Sequence, residues 1–185
     1  NQVVSNRILF WGRIEEEKGL PELFFALKTV AKKFTDVKLT LVGEGKRLQE
    51  YKSWIADLNL TDHVEFTGWK TSAEIQNLSA QSSLGVFPSR IESFGLSVVE
   101  AMAATLPVVA SRGGAIPENI EDGVTGKLVP VKNSDALAGA IISALEDPAN
   151  SSKRAKEARL AIQQKFSWEK AAENTLSLYE EILHK

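Results

Sequence analysis

The chain has 185 residues, of which 43% are hydrophobic and 25% charged, and its formal net charge is −2. This composition is typical of a globular domain with a buried core, and the near-neutral charge gives no general attraction for nucleic acid. The sequence contains no cysteine, which excludes disulfides, thiolate metal sites and cysteine nucleophiles. No apolar run approaches the roughly 18 residues of a membrane-spanning helix. We therefore expect a cytoplasmic protein.

Six short segments rich in β-branched and aromatic residues predict strands. In chain order they are Arg7–Gly12, Val37–Gly43, His63–Gly68, Leu84–Ser89, Pro107–Ser111 and Gly126–Pro130. The residues between them recur at helical spacing and predict helices over Pro21–Phe34, Lys46–Leu58, Ser72–Ala80, Leu96–Ala104 and Ser134–Glu146. Pro21 suits a first helical turn and Ser134 suits an N-cap. Two further helices, Ser151–Gln164 and Ser167–Leu183, complete the chain.

The order of these elements predicts the fold. Strands that are apolar on both faces and alternate with helices are typical of a parallel sheet covered on both sides. We predict a Rossmann-like, doubly wound α/β domain: a six-stranded parallel sheet with helices on both faces and extra helices at the C-terminus. Residues 1–185 are expected to form a single domain, and the abrupt start, almost directly in a strand, indicates a domain taken from a longer protein. Ligands of such sheets bind at the carboxyl ends of the strands.

The loop and helix after the fourth strand, "RIESFGLSVVEAMA", carry the most informative pattern. A helix that begins near Gly95 presents unpaired backbone N–H groups, which suit phosphate. Glu100 lies one turn further on, where a carboxylate can accept hydrogen bonds from a diol such as ribose, and Glu92 can reach a group on the far side of the phosphates. Alternatively, Glu92 is an acid favoured by the helix dipole and Glu100 a solvated helix residue.

The loop after the first strand, "GRIEEEKG", places two cations at the same edge of the predicted sheet. Arg13 and Lys18 could neutralise a diphosphate there. The alternative is a solvated surface loop in which both cations pair with the neighbouring glutamates. Together with the helix N-terminus and the two carboxylates, the ligand interpretation is the stronger one.

Other features of the sequence are weaker. Gly43–Gly45 does not belong to a G-x-G-x-x-G fingerprint and is interpreted as a tight strand-to-helix turn. Gly113–Gly114 indicates either a turn or a close approach of two backbones, of which the turn is preferred. His63 and His184, the two histidines, have no metal-ligand neighbours in the sequence and are interpreted as structural. The tryptophans are interpreted as packing residues, except that Trp69 follows a strand at the ligand-binding edge. No Asp-x-Asp occurs to hold a divalent ion against a diphosphate.

The motifs "GRIEEEKG", "LVGEG", "FTGW", "ESFGLSVVEAMA", "PVVAS" and "GGAIPENIEDGVTGKLV" follow one another with ordinary spacing. In this the chain resembles, over nearly its whole length, the C-terminal, donor-binding half of GT-B retaining glycosyltransferases of family 4. The resemblance implies one half of a GT-B fold and an N-terminal, acceptor-binding half that this sequence does not contain. It also implies that the catalytic histidine region of that half has no counterpart here.

The resemblance also implies roles for individual residues. Arg13 and Lys18 would stabilise the leaving diphosphate without metal, and Glu92 would lie near hydroxyls of the transferred sugar. The backbone amides around Phe94, Gly95 and Leu96 would hold the diphosphate and the sugar. Glu100 would bind the ribose hydroxyls, and the base would lie beside the loop of Trp69 and Lys70. Retention is expected to follow from attack on the face of the sugar that the leaving group departs from.

We therefore predict a hexosyltransferase-type enzyme whose donor is a nucleoside-diphosphate sugar, with a UDP-sugar or a GDP-sugar as the preferred candidates. We expect it to need neither a metal ion nor a cofactor. The isolated chain is expected to be inactive, and the full-length enzyme can sit at the cytoplasmic face of a membrane. The alternative is a nucleotide-binding module that regulates without catalysis. A dehydrogenase would need a G-x-G-x-x-G motif after the first strand, and a phosphorylase of this architecture would need a lysine-bound pyridoxal phosphate; neither element is found in the sequence.

Overall fold

A six-stranded, all-parallel sheet forms the centre of the computed structural model, which describes residues 5–183. The strands are β1 (Arg7–Trp11), β2 (Lys38–Val42), β3 (Val64–Gly68), β4 (Leu84–Phe87), β5 (Val108–Ser111) and β6 (Lys127–Val129), and their order across the sheet is β3-β2-β1-β4-β5-β6. Five of the strands are mostly buried, because helices cover both faces of the sheet, whereas the edge strand β3 has no buried residue. The prediction of a doubly wound Rossmann-like fold is confirmed.

Eight α-helices surround the sheet in the described part of the chain. The seven predicted helices are confirmed, with ends within three residues of the prediction. The sequence did not predict the four-residue helix Ile116–Asn119 or the two 3-10 turns at Glu16–Lys18 and Thr61–His63. The α-helices are α1 (Leu20–Lys33), α2 (Leu48–Asp57), α3 (Ser72–Gln81), α4 (Leu96–Ala103), α5 (Ile116–Asn119), α6 (Ser134–Glu146), α7 (Pro148–Lys165) and α8 (Trp168–Leu183).

Two local predictions need correction. Ser134 is not the N-cap of α6 but its first residue; the cap is Asn133, whose side-chain oxygen accepts a hydrogen bond from the Ala136 N–H at 2.9 Å. His63 does not open the third strand but ends the 3-10 turn before it, where its Nδ1 lies 2.9 Å from the Val37 carbonyl oxygen. The other histidine, His184, lies outside the described residues.

The connections of β1 and β4 define the place where a ligand can bind. The chain leaves β1 for β2 on one side, through α1, and leaves β4 for β5 on the other side, through α4. Because both crossovers are right-handed but run in opposite directions, α1 and α4 lie on opposite faces of the sheet. On one face α1 packs against α6, and on the other face α4 packs against α7. The loops after β1 and β4 therefore separate and leave a crevice between them at the carboxyl ends of the strands.

No helix of residues 5–183 is long and apolar enough to cross a membrane.

Candidate functional site

Trp11, the last residue of β1, lies at the centre of the crevice. It contributes to three pockets: one of ≈ 210 Å³ toward α3 and α4, one of ≈ 310 Å³ toward the loop after β3, and a narrow one beside Lys18 and Glu92. A larger pocket of ≈ 510 Å³ lies at the amino ends of β1, β4 and β5. We assign the candidate site to the carboxyl-end crevice, because that is where parallel sheets bind ligands and where the charged side chains converge.

The structure brings Lys18 and Glu92 together from the two loops of the crevice. The Lys18 Nζ lies 2.5 Å from the Glu92 Oε2, although the residues are 74 positions apart. Their side chains are only 15% and 21% exposed. The sequence offered the glutamates of the first loop as alternative partners for Lys18, and in the structure its partner is Glu92 instead. A partly buried cation and acid are thus held in contact at the edge where a ligand would enter.

Arg13 is placed differently. Its side chain is 72% exposed, and its guanidinium lies 2.9 Å from the carboxylate of Glu17, four residues further along the chain. For Arg13 the surface pairing that the sequence allowed is therefore the one observed. Such an exposed pair contributes little to stability. Because Arg13 also lines the pocket that reaches Trp69 and Lys70, the side chain can turn to an anion in that pocket at little cost.

Helix α4 begins as predicted, directly after Gly95, which is its N-cap with a φ of 85°. The first backbone N–H groups of a helix have no intrahelical partners, and here no side chain caps them either. Phe94 and Leu96, on either side of the glycine, are 44% and 60% exposed. The Phe94 carbonyl accepts a hydrogen bond from the Asn119 side chain at 2.6 Å, which ties the loop to α5. The result is an open, positively polarised helix end beside the Lys18–Glu92 pair.

Glu100 lies on the exposed side of α4, one turn below that helix end. Its Oε2 accepts a hydrogen bond of 2.9 Å from the indole Nε1–H of Trp11. The Trp11 ring is almost fully buried and packs edge-on against Phe87, with ring centroids 4.9 Å apart. The interpretation of Trp11 as a packing residue was therefore incomplete, because the ring also donates to a predicted site residue.

The loop after β3 carries the remaining predicted site residues. Trp69 is 69% exposed and Lys70 lies 3.2 Å from the Glu74 carboxylate. The N–H and hydroxyl of Thr71 both donate to Glu74, and the backbone bond is the largest of the causes that lower the pKa of this carboxyl to about 2. Thr71 and Glu74 form a capping box that starts α3. This cap fixes the end of the loop that presents Trp69 to the crevice.

Sequence reasoning missed the contacts that hold the two loops together. The Arg90 guanidinium binds Glu22 at 2.9 Å and Glu16 at 3.3 Å, and its backbone N–H donates to the Glu17 carbonyl at 2.7 Å. The position of Arg90 in the sequence, two residues before Glu92, gave no sign of these contacts, because its side-chain partners are about 70 positions away. Arg90 thus joins the Lys18 loop to the Glu92 loop.

Gly114 also approaches the Glu92 loop closely. A Cβ on Gly114 would lie 2.1 Å from the Glu92 carbonyl oxygen, and the Ala115 N–H donates to the same oxygen at 2.8 Å. The preference for a turn at Gly113–Gly114 was therefore incomplete, because Gly114 allows two backbones to touch as well as adopting a φ of 56°. Across residues 5–183, no group of three or more His, Asp or Glu side chains is arranged to hold a metal ion.

The strand order and the groups gathered at the switch between β1 and β4 define a Rossmann-like domain with a candidate ligand-binding crevice. The family model described as "Glycosyl transferases group 1" matches residues 3–165. The chain belongs to this family.

Similar proteins support the same assignment. Glycogen synthase from Mycobacterium tuberculosis is 32% identical over 176 residues, which cover 93% of this chain and 42% of that protein. The structure of Anabaena HepE in complex with UDP-glucose superimposes with a TM-score of 0.83 and 28% identity, over 94% of this chain and 49% of that one. The C-terminal domain of LpcC, a glycosyl transferase group 1 protein from Francisella tularensis, superimposes with a TM-score of 0.81 and 28% identity, over 90% of this chain and 89% of that one. The chain spans about half the length of the curated relatives it matches.

Proposed function

We propose that this chain is the donor-binding half of a metal-independent, retaining glycosyltransferase of family 4, which transfers a sugar from a nucleoside-diphosphate sugar to an acceptor. In this proposal residues 1–185 form one domain, an N-terminal half outside this sequence binds the acceptor, and no cofactor takes part. The isolated chain is expected to bind the donor without transferring its sugar.

The contact between Lys18 and Glu92 carries the proposal. A diphosphate at the N-terminus of α4 would lie beside the Lys18 ammonium, which has three N–H donors and uses one of them on Glu92. The remaining donors can bind phosphate oxygens and stabilise the charge that develops as the sugar–phosphate bond breaks. Glu92 retains free lone pairs that can accept hydrogen bonds from sugar hydroxyls.

The other site residues extend this arrangement along the donor. Glu100 can accept hydrogen bonds from the ribose hydroxyls, one turn below the N–H groups that would hold the phosphates. Arg13, Trp69 and Lys70 line the pocket of ≈ 310 Å³ on the far side of Trp11, where the base and a phosphate oxygen can be accommodated. The UDP-glucose bound by HepE favours a uracil nucleotide as the first ligand to test.

The proposal is tested by calorimetric titration of the chain with UDP, GDP, ADP and UDP-glucose in excess EDTA. We expect one nucleoside diphosphate to bind in the presence of the chelator. Lys18→Ala should weaken it by at least tenfold, since a charge-assisted hydrogen bond is worth roughly 1.5–3 kcal/mol. Lys28→Ala is the matched control, because Lys28 is an exposed lysine of α1 that lines none of the crevice pockets described above.

Two results would contradict the proposal. One is the absence of binding by every nucleotide, which would remove the donor-binding role. The other is affinity that disappears in EDTA and returns with magnesium or manganese, which would show that a metal ion rather than Lys18 and Arg13 carries the positive charge.

A further inference from the structure

The hydrogen bond between Trp11 and Glu100 joins a buried side chain to an exposed one. Trp11 is 5% exposed and ends a central strand, and Phe87 packs edge-on against its ring. Glu100 is exposed on α4, so its side chain would otherwise be free to rotate. An indole N–H can only donate, and here it donates to the Glu100 Oε2 at 2.9 Å. The buried ring thereby fixes the position of the carboxylate.

This bond leaves Glu100 able to serve a ligand. A carboxylate has about four lone-pair positions, and the indole occupies one of them. The Oε1 atom and the rest of Oε2 can therefore accept hydrogen bonds from two neighbouring hydroxyl groups. The two residues also share the wall of the ≈ 210 Å³ pocket, so the fixed carboxylate lies next to open space.

We propose that Trp11 is a positioning residue that holds Glu100 in place for the ribose of the donor, and that the pair sets a preference for ribose over 2′-deoxyribose. This inference rests on the proposed function, in which Glu100 binds the ribose hydroxyls. A carboxylate held in one orientation distinguishes a diol from a single hydroxyl, because the deoxy compound leaves one acceptor without its donor. A rotating carboxylate would adapt to either ligand and distinguish them less.

The experiment compares the affinities of the chain for UDP and 2′-deoxy-UDP. We expect the unaltered chain to bind UDP roughly tenfold more tightly than 2′-deoxy-UDP, or more, because the deoxy compound lacks one hydroxyl group that would donate to the charged carboxylate of Glu100. Trp11→Phe keeps an aromatic ring in the core but removes the N–H, and should reduce the preference to about two- to threefold by weakening UDP more than the deoxy compound. Trp54→Phe is the matched control, because Trp54 lies on α2 and packs against Tyr51 away from the crevice. It should leave the preference unchanged.

A second variant tests the same idea without altering the core. Glu100→Asp keeps the charge but shortens the side chain, so that the carboxylate no longer reaches the Trp11 N–H. Because Glu100 is exposed, the fold is not at risk, and the preference should fall as it does in Trp11→Phe. Full preference for UDP in either folded variant would overturn the inference.

An NMR measurement tests the contact without any ligand. The indole N–H resonance of Trp11, identified by its loss in Trp11→Phe, should move upfield in Glu100→Ala, and an unchanged resonance would overturn the inference. Failure of the unaltered chain to bind UDP, GDP or ADP is a different outcome, which refutes the proposed function and with it the ribose role. Binding with a preference that does not depend on Trp11 refutes only the positioning role.

Discussion

Gly114 offers the sharpest test of how the Glu92 loop is held. In Gly114→Ala the new Cβ would lie 2.1 Å from the Glu92 carbonyl oxygen, about 0.9 Å closer than the 3.0 Å limit of real contacts, and 2.7 Å from the Glu92 nitrogen. The neighbouring atoms are backbone and cannot rotate away. The loop must therefore shift by on the order of 1 Å, a displacement that can cost a reacting site about 10²-fold in rate.

The expected loss of stability has two sources. A φ of 56° costs an alanine about 1–2 kcal/mol, and forcing a methyl group into a filled space costs about 1–3 kcal/mol. Gly114→Ala should therefore lower the free energy of unfolding by about 2–5 kcal/mol. It should also weaken UDP-glucose more than UDP, because Glu92 is proposed to contact the sugar.

Alanine variants of two other glycines distinguish the backbone cost from the cost of the steric contact. The free energies of unfolding of all three variants are measured in guanidinium chloride. Gly123 has a φ of 82° but nothing within 4 Å of a Cβ, so Gly123→Ala should show only the backbone cost of about 1–2 kcal/mol. Gly139 is inside α6 with open space and a helical φ, so Gly139→Ala should stabilise the protein by about 0.5–1 kcal/mol. If Gly114→Ala is no less stable than Gly123→Ala, the contact with Glu92 does not constrain the loop and the reasoning is refuted.

Three further predictions concern the carboxylates and the cap of α3. Glu100→Ala should weaken UDP and UDP-glucose alike, by roughly 1.5–3 kcal/mol in calorimetric titration, and a loss confined to UDP-glucose would reverse its proposed role. Glu92→Ala should leave UDP affinity nearly unchanged but lower turnover of the full-length enzyme by on the order of 10²-fold, and loss of UDP binding would contradict this. The pKa of Glu74, about 2 against an ordinary 4.5, is lowered, so the stabilisation from its ionised carboxylate is complete above about pH 4.5 and is lost as the pH falls toward 2. Thr71→Ala removes the hydroxyl donor but keeps the backbone N–H, so an NMR titration of this carboxyl should move only part of the way up toward 4.5, and an unmoved midpoint would show that the hydroxyl does not contribute to the shift.

The fold could be predicted because its determinants are local. Each strand is a short apolar run, and each helix has its own periodicity, so the alternation alone indicated a parallel sheet. The ends were less certain, since a cap is decided by one hydrogen bond: Asn133 rather than Ser134 accepts the Ala136 N–H. The turn of four residues at α5 is too short to show a helical period.

The site was predictable in outline and not in its pairings. The spacing of the glycine and the carboxylates around α4 located the helix end. Lys18 was placed at the same edge because it follows the first strand of a predicted parallel sheet. The partners of these groups depend on tertiary structure, because the Lys18–Glu92 contact spans 74 positions and the Trp11–Glu100 contact spans 89. Nothing in the neighbourhood of Trp11 in the sequence distinguishes a donor to a site residue from an ordinary core ring. The role of Arg90 was missed for the same reason.

The central claim, that a nucleoside-diphosphate sugar binds at the carboxyl-end crevice, is tested most directly by mapping backbone amide NMR shifts as UDP-glucose is added to the chain. The proposal predicts that the largest shifts fall on Gly95, Leu96 and the Trp69–Lys70 loop, together with the Trp11 indole N–H. The ≈ 510 Å³ pocket at the opposite end of the sheet, which Ser83 and Thr105 line, provides the internal comparison and should show little change. Shifts concentrated around Ser83 and Thr105, with the residues of the crevice unaffected, would contradict the assignment of the site.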